Sequence, residues 1–414
     1  MISLGEATAF VMSDLAALEV VDVALADALG CALGADVVAS QEVPGFANSS
    51  MDGFALRAHD VVATPTRLRI VDSIFAGQVS TLTVGPGEAM RIMTGAPLPA
   101  GADAVCPVED VVVDDDVVSI LKPMGAGDCV RFAGSDVRVG QLLLSASSEV
   151  TPAALGVLSG QGHVAVAVHR RPVVGVLSTG DELSPTTGDL APGHIHDSNR
   201  PMLLALLRSS GFDALDLGVV ADGYDAIRDR LWRASHECDA VVSTGGVSMG
   251  DVDHVKAVIT DLSQGRGRVM QVAIKPAKPF AFGLVGPSST PVFGLPGNPV
   301  STRVSFELFV RPALRRLGGH AYLERLRVPA ILDVDLASPR DEKVHLVHVR
   351  ASCGEDGRIH VRDTAVHLSH LLSAIVSSNA IAILEPGRSY ARAHEVTLMV
   401  LDADSLVADS LVAR

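Results

Sequence analysis

Cysteine is scarce in this 414-residue chain, and no two cysteines are spaced as C-x-x-C. An odd number of scattered cysteines argues against a disulfide framework and against a zinc cluster, and it predicts a reducing, cytoplasmic compartment. Long apolar runs are missing too, since no 18 consecutive apolar residues could span a membrane. The first residues also lack the basic lead and cleavage site of a secretory leader. The cysteines are Cys31, Cys106, Cys129, Cys238 and Cys353.

Positive charge is also in short supply. The chain has 33 lysines and arginines against 48 aspartates and glutamates, a formal net charge of −15. This balance argues against sequence-independent binding to nucleic acid or to an anionic membrane, so we expect neither partner. Any anionic ligand must be held by local donors. Apolar residues, in contrast, make up 48% of the chain, and its length predicts two to four domains.

The residue patterns predict a multidomain fold of the α/β plus β class. Residues 172–322 alternate apolar strands with helices, which predicts a central α/β domain with a mostly parallel sheet. Residues 40–139 are rich in valine, glycine and proline and predict an irregular β-rich domain. Residues 323–414 predict a small C-terminal β domain. The segments 1–39 and 140–171 together predict a small linking domain of helices and strands.

A loop of glycines and hydroxyl residues, STGGVSMGDVD at 243–253, directly follows the apolar run Ala240 to Val242. Glycines permit positive φ and bring backbone N–H groups close to an oxyanion. The helix expected to begin near Asp253 adds the positive end of its dipole. Taken alone, the same pattern also fits a plain strand-to-helix turn. We interpret it as a phosphate-binding loop because of the residues that accompany it.

Acidic residues follow three successive predicted strands of the α/β region. Glu182 follows the first strand, Asp222 the second, and Asp251 with Asp253 the third. Because the carboxyl ends of parallel strands share one edge of a sheet, we expect these carboxylates to converge. Carboxylates beside phosphate-binding amides indicate Mg²⁺. Each acid considered alone is better explained as a helix cap or a solvated loop, and only the four together favour a metal site.

Two lysines, Lys275 and Lys278, stand in an apolar segment and are framed by prolines. The rigid prolines lower the entropic cost of holding two ammonium groups near an anion. Ordinary surface lysines remain the alternative. Dinucleotide binding is rejected, because no G-x-G-x-x-G follows the first strand of the α/β region.

Taken together, these segments resemble the MoeA-type molybdopterin molybdenumtransferases, the family that includes the gephyrin E domain. The resemblance covers essentially the whole chain, and its motifs keep the family order. The motifs are SMDGFA at 50–55, RIMTGAPLP at 91–99, STGDEL at 178–183, DSN at 197–199, GGVSMGDVD at 245–253, IKPAKPFAFG at 274–283 and GLPGNPVS at 294–301.

The resemblance implies the last step of molybdenum cofactor synthesis, in which adenylylated molybdopterin and molybdate give molybdopterin carrying molybdenum, with release of AMP. It further implies Mg²⁺ as the ion, and a homodimer whose active cleft combines the β-rich domain of one subunit with the α/β domain of the other. Contacts with a molybdopterin adenylyltransferase and with acceptor molybdoenzymes are expected as well.

The family's functional positions fall on three sets of residues in this chain. The catalytic set is Asp52, Thr94, Glu182, Asp222, Asp253, Lys275 and Lys278. The set that binds the pterin substrate is Thr179, Gly180, Asp181, Ser243, Gly245, Gly246, Ser248, Gly250, Pro296, Gly297, Asn298, Pro299 and Asp136. The metal set is Glu182, Asp222, Asp251 and Asp253, with Asp251 the weaker member of its pair.

The chain also departs from the family pattern. Gln271 stands where some relatives have lysine, Ala277 replaces a glycine, and Cys129 and Ser135 interrupt a usually constant segment. These changes concern anion contacts rather than the fold, and they leave other readings open. One is a pterin-binding scaffold without turnover. Another is a molybdopterin adenylyltransferase or a CinA-like nucleotide hydrolase, although those proteins lack the SMDGFA and TGAPLP segments.

Overall fold

A computed structural model describes residues 1–184, 190–247, 253–363 and 372–406. Short 3₁₀ turns cover Leu25–Asp27, Ala58–Val61 and Val108–Asp110, and a π-helical turn covers Phe306–Val310. The helices in the described ranges are α1 Leu4–Met12, α2 Pro152–Gly160, α3 Asn199–Ser209, α4 Tyr224–Glu237, α5 His254–Leu262, α6 Pro299–Ser305, α7 Arg311–Leu317 and α8 Leu372–Val376.

The strands of the described ranges are numbered in chain order. The first half of the chain contains β1 Val20–Ala24, β2 Val37–Val38, β3 Asn48–Ser49, β4 Gly53–Leu56, β5 Thr66–Ile74, β6 Glu88–Ile92, β7 Ala104–Pro107, β8 Val111–Asp114, β9 Val117–Ile120, β10 Val130–Arg131, β11 Leu142–Leu144, β12 Ala165–His169, β13 Val173–Thr179, β14 Leu183–Ser184 and β15 Ile195–His196. The second half contains β16 Asp213–Val220, β17 Ala240–Thr244, β18 Gly267–Gln271, β19 Ile274–Lys275, β20 Pro279–Val285, β21 Thr290–Leu295, β22 Arg327–Leu332, β23 Val344–Cys353, β24 Ile359–Asp363, β25 Ala380–Leu384 and β26 Glu395–Val400.

The chain divides into two compact units, each built from separate segments. The larger unit comprises Met1–Gly34, Ser147–Thr151 and Ala165–Arg414. The smaller unit comprises Ala35–Ala146 and Pro152–Val164. The four-domain division predicted from the sequence is a finer partition and stays a prediction.

The central sheet of the larger unit has the strand order β16-β13-β17-β21-β20-β18. The first four strands run parallel, because the helices α3 to α5 supply the crossovers between them. The last two, β20 and β18, are antiparallel to their neighbours. The sheet is therefore mostly parallel, as the alternating pattern predicts, and its inner strands β17 and β21 are buried on both faces.

A second sheet of the larger unit closes into a barrel. Its order is β19-β23-β24-β22-β26-β25, and β25 pairs back onto β23. The barrel itself consists of β23, β24, β22, β26 and β25, and closure leaves none of these five strands at a sheet edge. The short strand β19 pairs in parallel with the start of β23. Lys275 of β19 thereby lies opposite His345 of the barrel.

The smaller unit is built on a mixed sheet with the order β7-β4-β6-β5-β9-β8. The motif glycine Gly53 opens β4, which lies between β7 and β6 in the middle of three antiparallel strands. Apolar side chains from both faces of this sheet form two buried clusters. The valine-rich pattern of the sequence thus gives a strand-dominated unit, as predicted.

Candidate active site

Three parallel strands of the larger unit end beside one another. β13 ends at Thr179, β17 at Thr244 and β21 at Leu295. The register pairs Ser178 with Thr244, and Thr244 with Leu295. The loops that leave these strands therefore share the carboxyl edge of the sheet, where ligands bind in open α/β folds.

The glycine loop after β17 packs tightly onto the end of β13. Gly245 has φ of +95° and Gly246 of +64°, and a Cβ on Gly245 would overlap the carbonyl oxygen of Thr179. A Cβ on Gly246 would approach the side chain of Val255 to 2.6 Å. Only glycine fits this turn, and Cα of Gly245 lies near Gly297. The predicted residues Thr179, Gly245, Gly246 and Gly297 therefore do meet.

The acidic residues at this edge act on one another electrostatically. The Asp222 backbone N–H donates to Oδ1 of Asp181 at 3.0 Å. Although Asp222 is an exposed residue, the pKa of its carboxyl is raised, first by partial loss of water, then by repulsion from Asp181 and more weakly from Glu182 and Asp253. His254 opposes the rise. Asp253 begins α5 and pairs with Nζ of Lys256 at 2.7 Å.

The acidic side chains at this edge are the candidate ligands for the Mg²⁺ that the resemblance implies. No three acidic, histidine or cysteine side chains of the described residues, which exclude Asp251, come close enough to ligate one ion. Mg²⁺, however, usually takes only one or two protein carboxylates, because substrate oxygens and water complete its shell. Repulsion from Asp181, Glu182 and Asp253 adds to the raised pKa of Asp222, and a bound cation would relieve that part of the rise. The acidic residues of this edge are therefore compatible with Mg²⁺.

Several buried polar atoms at this edge have no hydrogen-bond partner among the described residues. Native proteins satisfy nearly all buried polar groups, so a local concentration of such atoms indicates a missing ligand or water. The atoms are Oγ of Ser178, Oγ1 of Thr179, Oγ of Ser243 and Oδ1 of Asn199.

Asn199 is a residue of this edge to which the sequence assigned no role. It opens α3 and is 8% exposed. Its Nδ2 donates to Oγ1 of Thr244 at 3.0 Å and to the carbonyl oxygen of Gly297 at 2.6 Å. The DSN motif after the first strand of the α/β unit was the available signal, but its partners lie 45 and 98 positions away.

The PGNP segment follows β21 and starts α6. Asn298 occupies the N-cap position with Pro299 in the first turn, but the Asn298 side chain makes no capping bond. The hydroxyl of Thr302 instead donates to the carbonyl of Pro296 at 2.6 Å. Pro296 is buried, whereas Gly297 and Asn298 are exposed toward solvent at the strand end.

The two predicted lysines flank a short turn, with Lys275 at the end of β19 and Lys278 directly before β20. Lys275 is exposed and Lys278 half-buried. Ala277 between them has φ of +69°, so it keeps a glycine-like backbone despite the substitution. Opposite Lys275, Nε2 of His345 bonds Oδ1 of Asp341 at 2.8 Å. This bond, together with hydrogen bonds from Lys343, lowers the pKa of Asp341 to about 2.

Three predicted residues belong to the smaller unit. Asp52 and Thr94, which are 42 positions apart, are joined because the Thr94 hydroxyl and backbone N–H donate to the same carboxylate. Asp136 lies elsewhere in that unit, exposed, and its N–H donates to the carbonyl of Val43 at 3.0 Å. Three further predicted residues, Ser248, Gly250 and Asp251, lie outside the described residues.

Comparisons with known proteins identify the family. The chain matches the MoeA N-terminal region (domain I and II) at residues 2–162, a probable molybdopterin binding domain at 175–316, and the MoeA C-terminal region (domain IV) at 329–401. It is 38% identical to molybdopterin molybdenumtransferase 2 of Mycobacterium tuberculosis, over 78% of this chain and 81% of the relative. The chain belongs to the MoeA family.

Other members of the MoeA family match over nearly their full length. The molybdopterin molybdenumtransferase of Bacillus subtilis is 32% identical over 92% of this chain and 89% of its own. The crystal structure of the molybdopterin biosynthesis moeA protein from Pyrococcus horikoshii OT3 superposes with a TM-score of 0.82 at 28% identity, covering 97% of this chain and 100% of that one. The resemblance and the fold class are therefore confirmed. No helix in the described ranges is long and apolar enough to cross a membrane.

Proposed function

We propose that this chain is a molybdopterin molybdenumtransferase, which converts adenylylated molybdopterin and molybdate into molybdopterin carrying molybdenum and releases AMP. The observation that carries the proposal is the edge of the central sheet, where a glycine loop, buried hydroxyls and repelling carboxylates meet. Curated relatives with this name match the chain over most of its length, at 30–38% identity. That coverage favours the transferase over an adenylyltransferase.

The residues at this edge have separable tasks in the proposed reaction. The backbone amide of Gly246 would bind an oxygen of the phosphoanhydride, because the N–H of Gly245 already donates to the carbonyl of Leu295 and the positive φ of Gly246 opens the backbone to a ligand. Lys275 and Lys278 would stabilise the negative charge of molybdate or of the departing AMP. Oγ1 of Thr179 and Oγ of Ser243, both buried and without a partner among the described residues, would orient the substrate.

Glu182, Asp222 and Asp253, with Asp251, would hold Mg²⁺, which when bound polarises a phosphoanhydride oxygen. The pKa of Asp222 is raised first by partial loss of water and then by repulsion from Asp181, Glu182 and Asp253. Loss of that repulsion is therefore a readout of ion binding that does not depend on turnover.

The proposal extends to a cytoplasmic homodimer with a composite site. The acids at the sheet edge would act together with Asp52 and Thr94 of the partner's chain, and Asp136 would contribute from the same unit. A molybdopterin adenylyltransferase would supply the substrate, and acceptor molybdoenzymes would receive the product. In mixed dimers, an Asp52→Ala chain should restore activity to an Asp253→Ala chain, and verified heterodimers without activity would contradict the composite site.

The decisive experiment measures AMP release and molybdenum insertion by purified protein given adenylylated molybdopterin, MgCl₂ and molybdate. We expect turnover that requires molybdate and that is lost in Glu182→Ala, while Glu355→Ala, a change at an exposed turn, retains it. Binding of molybdopterin without AMP release would refute the transferase and favour a pterin-binding scaffold.

A further inference from the structure

The amide of Asn199 is fixed in one orientation by its surroundings. The carbonyl of Gly297 can only accept a hydrogen bond, so the atom 2.6 Å from it must be Nδ2. The hydroxyl of Thr244 donates to the carbonyl of Pro296, which leaves it free to accept from the same Nδ2. Both amide protons are therefore used, and a flipped amide would place two oxygens against each other.

This orientation leaves Oδ1 of Asn199 as a fixed acceptor. The atom is buried and has no hydrogen-bond partner among the described residues. The hydroxyl of Ser178 is also buried and has no hydrogen-bond partner among the described residues. Ser178 pairs with Thr244 in the sheet register, so the two side chains share one face of the sheet. Oδ1 of Asn199 and the hydroxyl of Ser178 thus both belong to the carboxyl end of the sheet, the edge at which ligands bind.

The chemistry of the acceptor selects its ligand. A carboxamide oxygen repels the oxygens of phosphate and molybdate, which are acceptors themselves, and it pairs with N–H or N–H₂ groups. The heterocycles of the proposed substrate, the pterin and the adenine, carry such groups on their edges. The lysines and backbone amides assigned to the anions are donors, so Asn199 supplies the opposite polarity.

Resting on the proposed function, we propose that Asn199 is a specificity-determining residue whose Oδ1 accepts a hydrogen bond from an amino or ring N–H group of the substrate's heterocycle. Its Nδ2 ties the end of β17 to the loop after β21 and so holds Oδ1 in place. An amide is required here, because a carboxylate lacks the donor for Gly297 and an alkyl group lacks the acceptor.

Two ligands and three variants of the full chain test this role. Molybdopterin and AMP are titrated separately against the wild-type protein, Asn199→Ala, Asn199→Asp and Thr244→Val. Since one neutral hydrogen bond is worth roughly a factor of 5 to 10 in affinity, we expect Asn199→Ala to weaken one of the two ligands about tenfold and the other less than twofold. The weakened ligand identifies the heterocycle, pterin or adenine.

The other variants distinguish the accepting role of Oδ1 from the positioning role of Nδ2. Thr244→Val removes one partner of Nδ2 but keeps Oδ1, so we expect a loss smaller than that in Asn199→Ala. Asn199→Asp keeps an oxygen at the Oδ1 position and loses the donor, so it should bind the heterocycle better than Asn199→Ala even if its melting temperature falls further.

Equal weakening of both ligands by Asn199→Ala, or no weakening of either, overturns the inference. A loss of affinity in Thr244→Val as large as that in Asn199→Ala also overturns it, because Asn199 would then only hold Thr244 and Gly297 together through Nδ2. Absence of AMP release by the wild-type protein is a different failure, which contradicts the transferase in a separate assay.

Discussion

The hydroxyl and the backbone N–H of Thr94 both donate to Oδ1 of Asp52, each at 2.7 Å. These two bonds, the backbone bond first, lower the pKa of the Asp52 carboxyl, with a smaller contribution from Arg91. Two residues from separate motifs of the smaller unit thus form one oriented, ionised group. Asp52 is exposed, so the bonds orient the carboxylate without burying it.

The first prediction concerns the pH dependence that follows from this pair. A lowered carboxyl pKa keeps Asp52 charged as the pH falls, so Thr94→Val, which removes one donor, should move the acid limb of kcat/KM to higher pH. Asp52→Asn should lose about 100-fold or more in kcat/KM at neutral pH if the carboxylate takes part in proton transfer. Steady-state AMP release from pH 4 to 8 measures both. An acid limb unchanged in Thr94→Val would separate Thr94 from this role.

The second prediction uses Asp222, whose pKa is raised. The folded state then binds this proton more tightly than the unfolded state does, so stability falls as the pH rises from the ordinary carboxyl range through the raised pKa. Asp222→Asn should flatten this decline in thermal melts recorded without divalent ions. MgCl₂ should raise the melting temperature of the wild-type protein more than that of the variant. An equal rise in both would place the ion elsewhere.

The third prediction concerns the buried carboxylate of Glu307 in the π-helical turn. Its oxygens accept from Nε of Arg325 at 2.9 Å and pair with Nη2 of Arg303 at 3.0 Å. Burial already lowers the pKa of the neighbouring Arg311 to about 10. Glu307→Gln removes the negative charge that Arg303 and Arg325 share and should cost about 3–5 kcal/mol in unfolding free energy.

Urea unfolding measures the loss of unfolding free energy in Glu307→Gln. The matched control is Glu324→Gln, which breaks an exposed pair with Arg327 and should cost less than about 1 kcal/mol. Equal effects of the two variants would show that the buried cluster contributes no more than a surface pair.

The fourth prediction explains the glycine of the SMDGFA motif. A Cβ on Gly53 would overlap the backbone carbonyl of Cys106 on the adjacent strand β7, and a backbone atom cannot rotate away. Gly53→Ala should therefore destabilise the smaller unit by about 1–3 kcal/mol. Gly156→Ala in α2, where the new methyl meets nothing within 4 Å, should instead stabilise the unit by about 0.5–1 kcal/mol. Both are read from thermal or urea melts, and similar effects would refute the clash.

The sequence predicts the parallel half of the central sheet well, because each apolar run there is bounded by a glycine, a proline or a capping residue. The predicted helix start near Asp253 is confirmed, with α5 at His254–Leu262. The π-helical turn around Glu307 has no glycine, proline or capping residue to mark it, and its apolar residues predict an ordinary α-helix. The alternation of apolar runs also does not reveal that β18 and β20 are antiparallel, because that pattern depends only on residues close in sequence.

The candidate site shows the same limit. Glycines and acids at strand ends can be found from the sequence, because the order of the strands places them at one edge. The role of Asn199 depends on two contacts with residues 45 and 98 positions away, and the raised pKa of Asp222 depends on how closely the acids approach. Neither quantity is local, so neither could be read from residue spacing.

The chain passes four times between its two units, and this interleaving sets an order for folding. The smaller unit is complete in sequence once Val164 has been made. The segment Ser147–Thr151 belongs to the larger unit, where Glu149 pairs with Arg315 at 3.0 Å and the carbonyl of Ser147 accepts from the N–H of Ala321. During synthesis the smaller unit can therefore fold early, and this segment can already pair with residues 30–33. Its contacts with Arg315 and Ala321 form only after more than 150 further residues have been made.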